Sequence, residues 1–163
     1  GEGFDIQRIA DDAPFLEVRL QESGDAVDQK QLARLEPIAP QVAWLDLAGT
    51  DLAQGALRSV GVFEHLTRLH LERSSVADET LQHIDGLEHL EYLNLYGTSI
   101  TDAGLQQLGE LKDLKKVFLW QTNVTPEGIE QFQQQRRGVR INRGAAMAVV
   151  DSTDVASDST EIE

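Results

Sequence analysis

Asp46, His70, Glu72 and Asn94 are the residues whose types and spacing come nearest to a reactive set in this chain. An imidazole beside carboxylates can move protons, and the same groups can bind a transition metal. Against that chemistry, the set holds a single histidine, and no second ligand recurs at a ligand-like spacing. An ordinary polar patch accounts for the same four residues. His65, His83 and His89 lie outside the segments that carry the set and read as solvated surface residues. The chain has no cysteine, which removes disulfides, thiolate ligands, cysteine nucleophiles and haem attachment through Cys-x-x-Cys-His. It also lacks a G-x-S-x-G elbow, a P-loop, a dinucleotide fingerprint and an H-E-x-x-H pair. The expectation is a non-enzymatic protein with no cofactor, no metal site and no catalytic residue.

The candidate residues recur at a fixed interval, because the chain repeats itself every 24 residues. Leu45, Leu69, Leu93 and Val117 form one column, and Leu47, Leu71, Leu95 and Leu119 the next. Five further columns run through Val42, Leu52, Leu57, Val60 and Phe63. Of the 28 positions only Gln135 is polar, in a chain that is 40% hydrophobic, so chance is excluded. A degenerate unit from Phe15 to Ile38 precedes these four. After them Val139 and Ile141 begin another strand, read with its register shortened by two residues. About five units and a terminal strand result.

Each unit opens with the alternation of a strand and continues with apolar residues at three-residue spacing, which fits a helix or a 3₁₀-like segment. Thr101-Asp102 and Thr125-Pro126 read as helix starts, since Thr is a good N-cap and Pro is tolerated at the first helical position. Asp78 and Asp28 sit at or beside equivalent starts. No single unit can bury its own apolar face, so the units must stack, with a parallel sheet on one side and helices on the other. The hydroxyl column Thr50, Ser74, Thr98 and Thr122 reads as a structural ladder bonding backbone groups of the neighbouring turn.

The stretches T-R-L-H-L-E-R-S-S-V-A-D-E-T-L (67–81) and E-Y-L-N-L-Y-G-T-S-I-T-D-A-G-L (91–105) resemble leucine-rich repeats of the ribonuclease-inhibitor-like kind. That resemblance implies an α/β solenoid, a right-handed β-α superhelix with its parallel sheet concave and its helices convex. It also implies protein recognition by the concave strands. Residues 40–50, 92–105 and 117–125 further resemble the C-terminal repeats of membrane-associated, planctomycete-type cytochrome c proteins. That narrower resemblance implies a periplasmic or otherwise extracytoplasmic domain. The chain carries no haem motif, so no redox role comes with it.

Strand alternation sends Trp44, Asp46 and Ala48 away from the core, then Arg68, His70 and Glu72, then Tyr92, Asn94 and Tyr96, then Lys116, Phe118 and Trp120. The first strand adds Glu17, Arg19 and Gln21, and the last adds Arg140 and Asn142. Five of the nine Phe, Tyr and Trp residues stand in these outward positions, both tryptophans among them. Trp44, Arg68, His70, Tyr92, Asn94, Tyr96, Lys116, Phe118 and Trp120 are therefore the candidate partner-binding residues, since interfaces are enriched in Trp, Tyr and Arg. Cross-strand packing within the sheet, or burial under the C-terminal tail, would account for the same aromatics. Tyr96 and Trp120 are expected to be lateral neighbours.

The expected divisions are an N-terminal cap over 1–14, the repeats over 15–143 and an acidic tail over 144–163. The opening Gly1-Glu2-Gly3-Phe4 has neither an initiator Met nor a signal-peptide pattern, which suits a mature product or an excised piece. Residues 146–150 are expected to pack on the last unit or a neighbouring molecule. The net charge of −14 argues against a nucleic-acid partner. Residues 112–143 run against that balance, with 3 acidic and 7 basic residues. Recognition of a protein or peptide is the favoured function. A spacer that holds a neighbouring domain off a membrane, or carbohydrate stacking on the aromatics, are the alternatives. A homodimer through the aromatic face would use the same residues.

Overall fold

The structure is a computed structural model that describes residues 3–20, 26–53 and 55–144. Its frame is a seven-stranded sheet whose spatial order is its sequence order. Strand β1 (Phe4–Arg8) pairs antiparallel with β2 (Leu16–Leu20). From β2 onward every pairing is parallel, through β3 (Val42–Asp46), β4 (Arg68–His70), β5 (Tyr92–Asn94), β6 (Lys116–Phe118) and β7 (Arg140–Asn142). Five strand–helix units and a terminal strand result.

The core lies between the sheet and the segments behind it. Leu45, Leu69, Leu93 and Val117 are fully buried, as are Leu47, Leu71 and Leu95. These side chains interdigitate from one unit to the next, so each unit completes the core of its neighbour.

The rear segments differ from unit to unit with the caps that start them. The first unit has α1 (Gln29–Ala33), capped reciprocally by Asp28 and Gln31, followed by a 3₁₀ turn over Glu36–Gln41. The second has only a 3₁₀ segment, Ala56–Val62. In the third, α2 (Asp78–Leu81) starts after Ala77, which has no capping side chain; the Thr80 hydroxyl accepts the Ala77 N–H instead. Thr101 caps α3 (Asp102–Gln107), and Thr125 followed by Pro126 starts the ten-residue α4 (Pro126–Gln135). The position held by Thr in the last two units is Ala53 in the second and Ala77 in the third. A side-chain acceptor at the N-cap for the free first-turn N–H groups is what the second and third units lack.

Three sequence expectations are corrected. The final strand keeps the 24-residue step, because Lys116 pairs with Arg140, Val117 with Ile141 and Phe118 with Asn142. Backbone pairing outweighs the apolar alignment here: Gly138 ends the Leu114 column, and Val139 is buried in its stead. The hydroxyls of Thr50, Ser74, Thr98 and Thr122 do not reach the neighbouring turn. Each donates within its own turn, to the carbonyl three residues back, at 2.6–2.7 Å. Strands β4 to β6 are also shorter than the alternation suggests, so Tyr96 and Trp120 stand just beyond strand ends. The lateral hydrogen bonds nevertheless continue there, with Arg73 N–H to the Tyr96 carbonyl at 2.7 Å and Gly97 N–H to the Trp120 carbonyl at 2.9 Å. Gln21 and residues 145–163, including the expected packing of 146–150, lie outside the described residues.

Candidate functional site

The parallel register turns the outward side chains into rows that cross the strands, about 4.8 Å from one strand to the next. One row reads Trp44, Arg68, Tyr92, Lys116, Arg140, and the next Asp46, His70, Asn94, Phe118, Asn142. A third, past the strand ends, holds Glu72, Tyr96 and Trp120. All nine candidate residues therefore share one face of the sheet. Trp120 is 43% exposed and Arg68 is exposed; the other seven are half-buried against one another.

Their contacts are mutual and mostly aromatic. The Arg68 guanidinium lies 4.4 Å from the Trp44 ring centroid. His70 and Tyr92 rings approach to 5.0 Å, and Tyr92 and Phe118 to 5.2 Å. The Lys116 ammonium stands 4.6 Å over Phe118. Tyr96 and Trp120 stack at 5.1 Å with 14° between their planes, as lateral neighbours should. Such contacts are worth about 0.5–1.5 kcal/mol each, and they hold long side chains flat on the sheet.

The polar set is split by its pairings. Asp46 accepts from Arg19 Nε at 3.0 Å, and Glu17 takes the same guanidinium at 3.2 Å. His70 Nδ1 meets Glu72 Oε1 at 3.3 Å. The hydrogen bond to Glu72, opposed by burial, holds His70 above its ordinary pKa. Burial pushes the Glu72 carboxyl up, but hydrogen bonds from His70 and from its own backbone N–H outweigh this and leave it lowered. Burial and the nearby Glu72 charge raise Tyr92. Glu72 Oε2 is buried with no hydrogen-bond partner among the described residues. Among those residues no group of three or more His, Asp and Glu converges as a metal site would.

Two features escape the strand reading. Arg73 lies 5.1 Å over the Tyr96 ring and donates to the Tyr96 hydroxyl at 3.1 Å. It occupies the left-handed region, with φ 55°. Gly49, Arg73, Gly97 and Gln121 all do so at 24-residue spacing, and that column is the signal that locates Arg73. The second feature is a row at the strand-entry edge, where Phe15 meets His65 at 6.0 Å and His65 stacks on His89 at 6.4 Å. His89 in turn contacts Asp113 at 3.1 Å. These side chains line a shallow groove of about 450 Å³. His65 and His89 are exposed, but they are not isolated in solvent as the sequence suggests.

Neither a protein-family model nor a curated protein matches this chain. Among solved structures it is similar to an internalin from Listeria monocytogenes, at 18% identity and TM-score 0.53, over 68% of this chain and 31% of that one. It is also similar to a leucine-rich-repeat protein from Leptospira interrogans (17% identity, TM-score 0.46, over 66% and 33%). A third is the leucine-rich-repeat ectodomain of a receptor kinase from Arabidopsis thaliana (14%, 0.45, over 88% and 80%). The repeats, the sheet and the internalin likeness together define the fold as a leucine-rich-repeat solenoid. This chain spans about a third of the length of the first two structures. No helix among the described residues is long and apolar enough to cross a membrane.

Proposed function

We propose that this solenoid is a non-enzymatic module that binds a protein or peptide on its concave face, with Trp44, Arg68, His70, Tyr92, Asn94, Tyr96, Lys116, Phe118 and Trp120 as the contact residues. The observation that carries the reading is the location of the aromatics. Five of the nine stand outside the core, on one face, where they give up burial that the core does not need from them. Large half-buried side chains held in place by their neighbours lose little entropy on binding and suit interface anchors.

A pull-down from the source organism with wild type beside Tyr96→Ala/Trp120→Ala tests this. Glu130→Ala on exposed α4 serves as a control. The proposal expects a partner retained by wild type and by the control, and lost by the folded double variant. Equal recovery by all three contradicts it. The resemblance of residues 40–50, 92–105 and 117–125 to repeats of extracytoplasmic cytochrome c proteins favours a second reading, a spacer in a longer membrane-associated chain. A spacer tolerates the double substitution with no change in association.

A further inference from the structure

We infer that the segment seated on this face is acidic: an extended stretch of polypeptide with carboxylates spaced to meet Arg68, Lys116 and Arg140. The inference rests on the concave-face reading and adds the chemistry of the partner. The acids of the face are already engaged, Glu17 and Asp46 by Arg19 and Glu72 by His70. Among the described residues no carboxylate is ion-paired with Arg68, Arg73, Lys116 or Arg140. Three of these cations lie over aromatic rings, Arg68 on Trp44, Arg73 on Tyr96 and Lys116 on Phe118, and are held there without neutralisation. Arg73 holds a left-handed backbone, strained for a residue with a side chain, and its guanidinium lies over Tyr96.

The spacing suits an extended chain laid across the strands. Lys116 and Arg140 are adjacent in their row, and Arg68 is two strands from Lys116. Those separations are roughly 5 and 10 Å, against ~3.3 Å per residue of extended peptide, so carboxylates one to three residues apart match them. The net charge of −14 opposes an acidic partner at long range, but salt screens that repulsion beyond ~8 Å, and contact is decided by the local cations.

The chain itself supplies a suitable probe. Residues 151–163 carry Asp151, Asp154, Asp158, Glu161 and Glu163 and no Lys or Arg. Gly144, the last described residue, sits so close to the Trp120 indole that a Cβ there would collide with the ring.

The test uses a fluorescein-labelled peptide of sequence 151–163 and its counterpart with every Asp and Glu amidated. Fluorescence anisotropy then measures binding to the full chain and to a full-chain variant with the same five tail acids changed to amides. The inference expects the carboxylate peptide to bind at least about tenfold more tightly than the amide peptide, with affinity falling as salt rises. Arg68→Gln/Lys116→Gln/Arg140→Gln, checked for an unchanged circular dichroism spectrum, should lose that preference. Binding that appears only in the tail-amide variant also supports the inference and makes the chain's own tail an occupant in cis. Equal or absent binding of the two peptides to both proteins overturns it. So does a cellular partner lost by Tyr96→Ala/Trp120→Ala but held equally by the triple charge variant; that result leaves the concave-face reading standing.

Discussion

Tyr96 and Trp120 stack face to face at 5.1 Å although 43% of the Trp120 surface is open to solvent. A stack of this kind contributes about 1 kcal/mol to stability, much less than a large side chain contributes in a core. Trp120→Ala should therefore lower the folding free energy by about 1 kcal/mol in urea unfolding, while abolishing partner capture. A loss above about 3 kcal/mol would make Trp120 a structural residue instead.

The Asp102 carboxylate spans two units. Its oxygens accept the Thr125 N–H and the Thr125 hydroxyl, both at 2.7 Å. Asp78 does the same for Thr101 one unit earlier. A Cβ on Gly128 would strike the Asp102 carboxylate, and one on Gly104 the Asp78 carboxylate. Gly128→Ala should thus displace the inter-unit bridge and destabilise the chain by about 1–3 kcal/mol. Gly138→Ala, where a Cβ meets nothing within 4 Å, is the control and should be far milder. Equal melting temperatures for the two variants would refute the bridge.

Stability should depend on pH through His70 and Glu72. His70 is raised above 6.5, so its contribution is complete below that pH and is lost as pH rises through the folded-state value. Glu72 is lowered below 4.5, so its contribution is present above that pH and is lost as pH falls through its folded-state value. The charged pair is most stabilising between these two ordinary values. Asp46 reinforces His70 protonation and Arg68 opposes it. Because the pair is partly solvated, Glu72→Gln should cost no more than about 1 kcal/mol near pH 5.5, and little at pH 9. An unfolding midpoint difference that stays constant across this range would contradict the assignment.

Gln121 holds a left-handed backbone, φ 55°, where Gly97 stands one unit earlier. Gln121→Gly should raise stability by roughly 0.5–1 kcal/mol, the relief of left-handed strain less the added chain entropy. A lower melting temperature for the variant would show that the Gln121 side chain makes a contact that outweighs the strain.

The repeat was legible because one apolar column per structural role recurs at a fixed step, and the outward rows follow from strand alternation alone. What alternation does not encode is where a strand stops. Tyr96 and Trp120 lie past strand ends because the chain turns at Gly97 and Gln121, after residues whose pattern still alternates. Arg73 was hidden for the same reason, being a turn residue whose guanidinium folds back over Tyr96. The last register is ambiguous in the sequence because Val139 is apolar at a position that is Lys115 in the preceding unit, and hydrophobicity alone does not separate a shifted strand from a substituted one. His65, His89 and Asp113 follow the 24-residue step, but they lie ahead of the strands, where alternation assigns no face; Phe15, from the degenerate first unit, falls outside that step.

The most direct test of the central claim is site-specific photo-crosslinking in extract of the source organism, with Asn94→p-benzoylphenylalanine on the concave face and Gln133→p-benzoylphenylalanine on the exposed side of α4. The account predicts a discrete protein adduct from position 94, none from position 133, and loss of the adduct when Tyr96→Ala/Trp120→Ala is added. An adduct from position 133 with none from position 94 would contradict it.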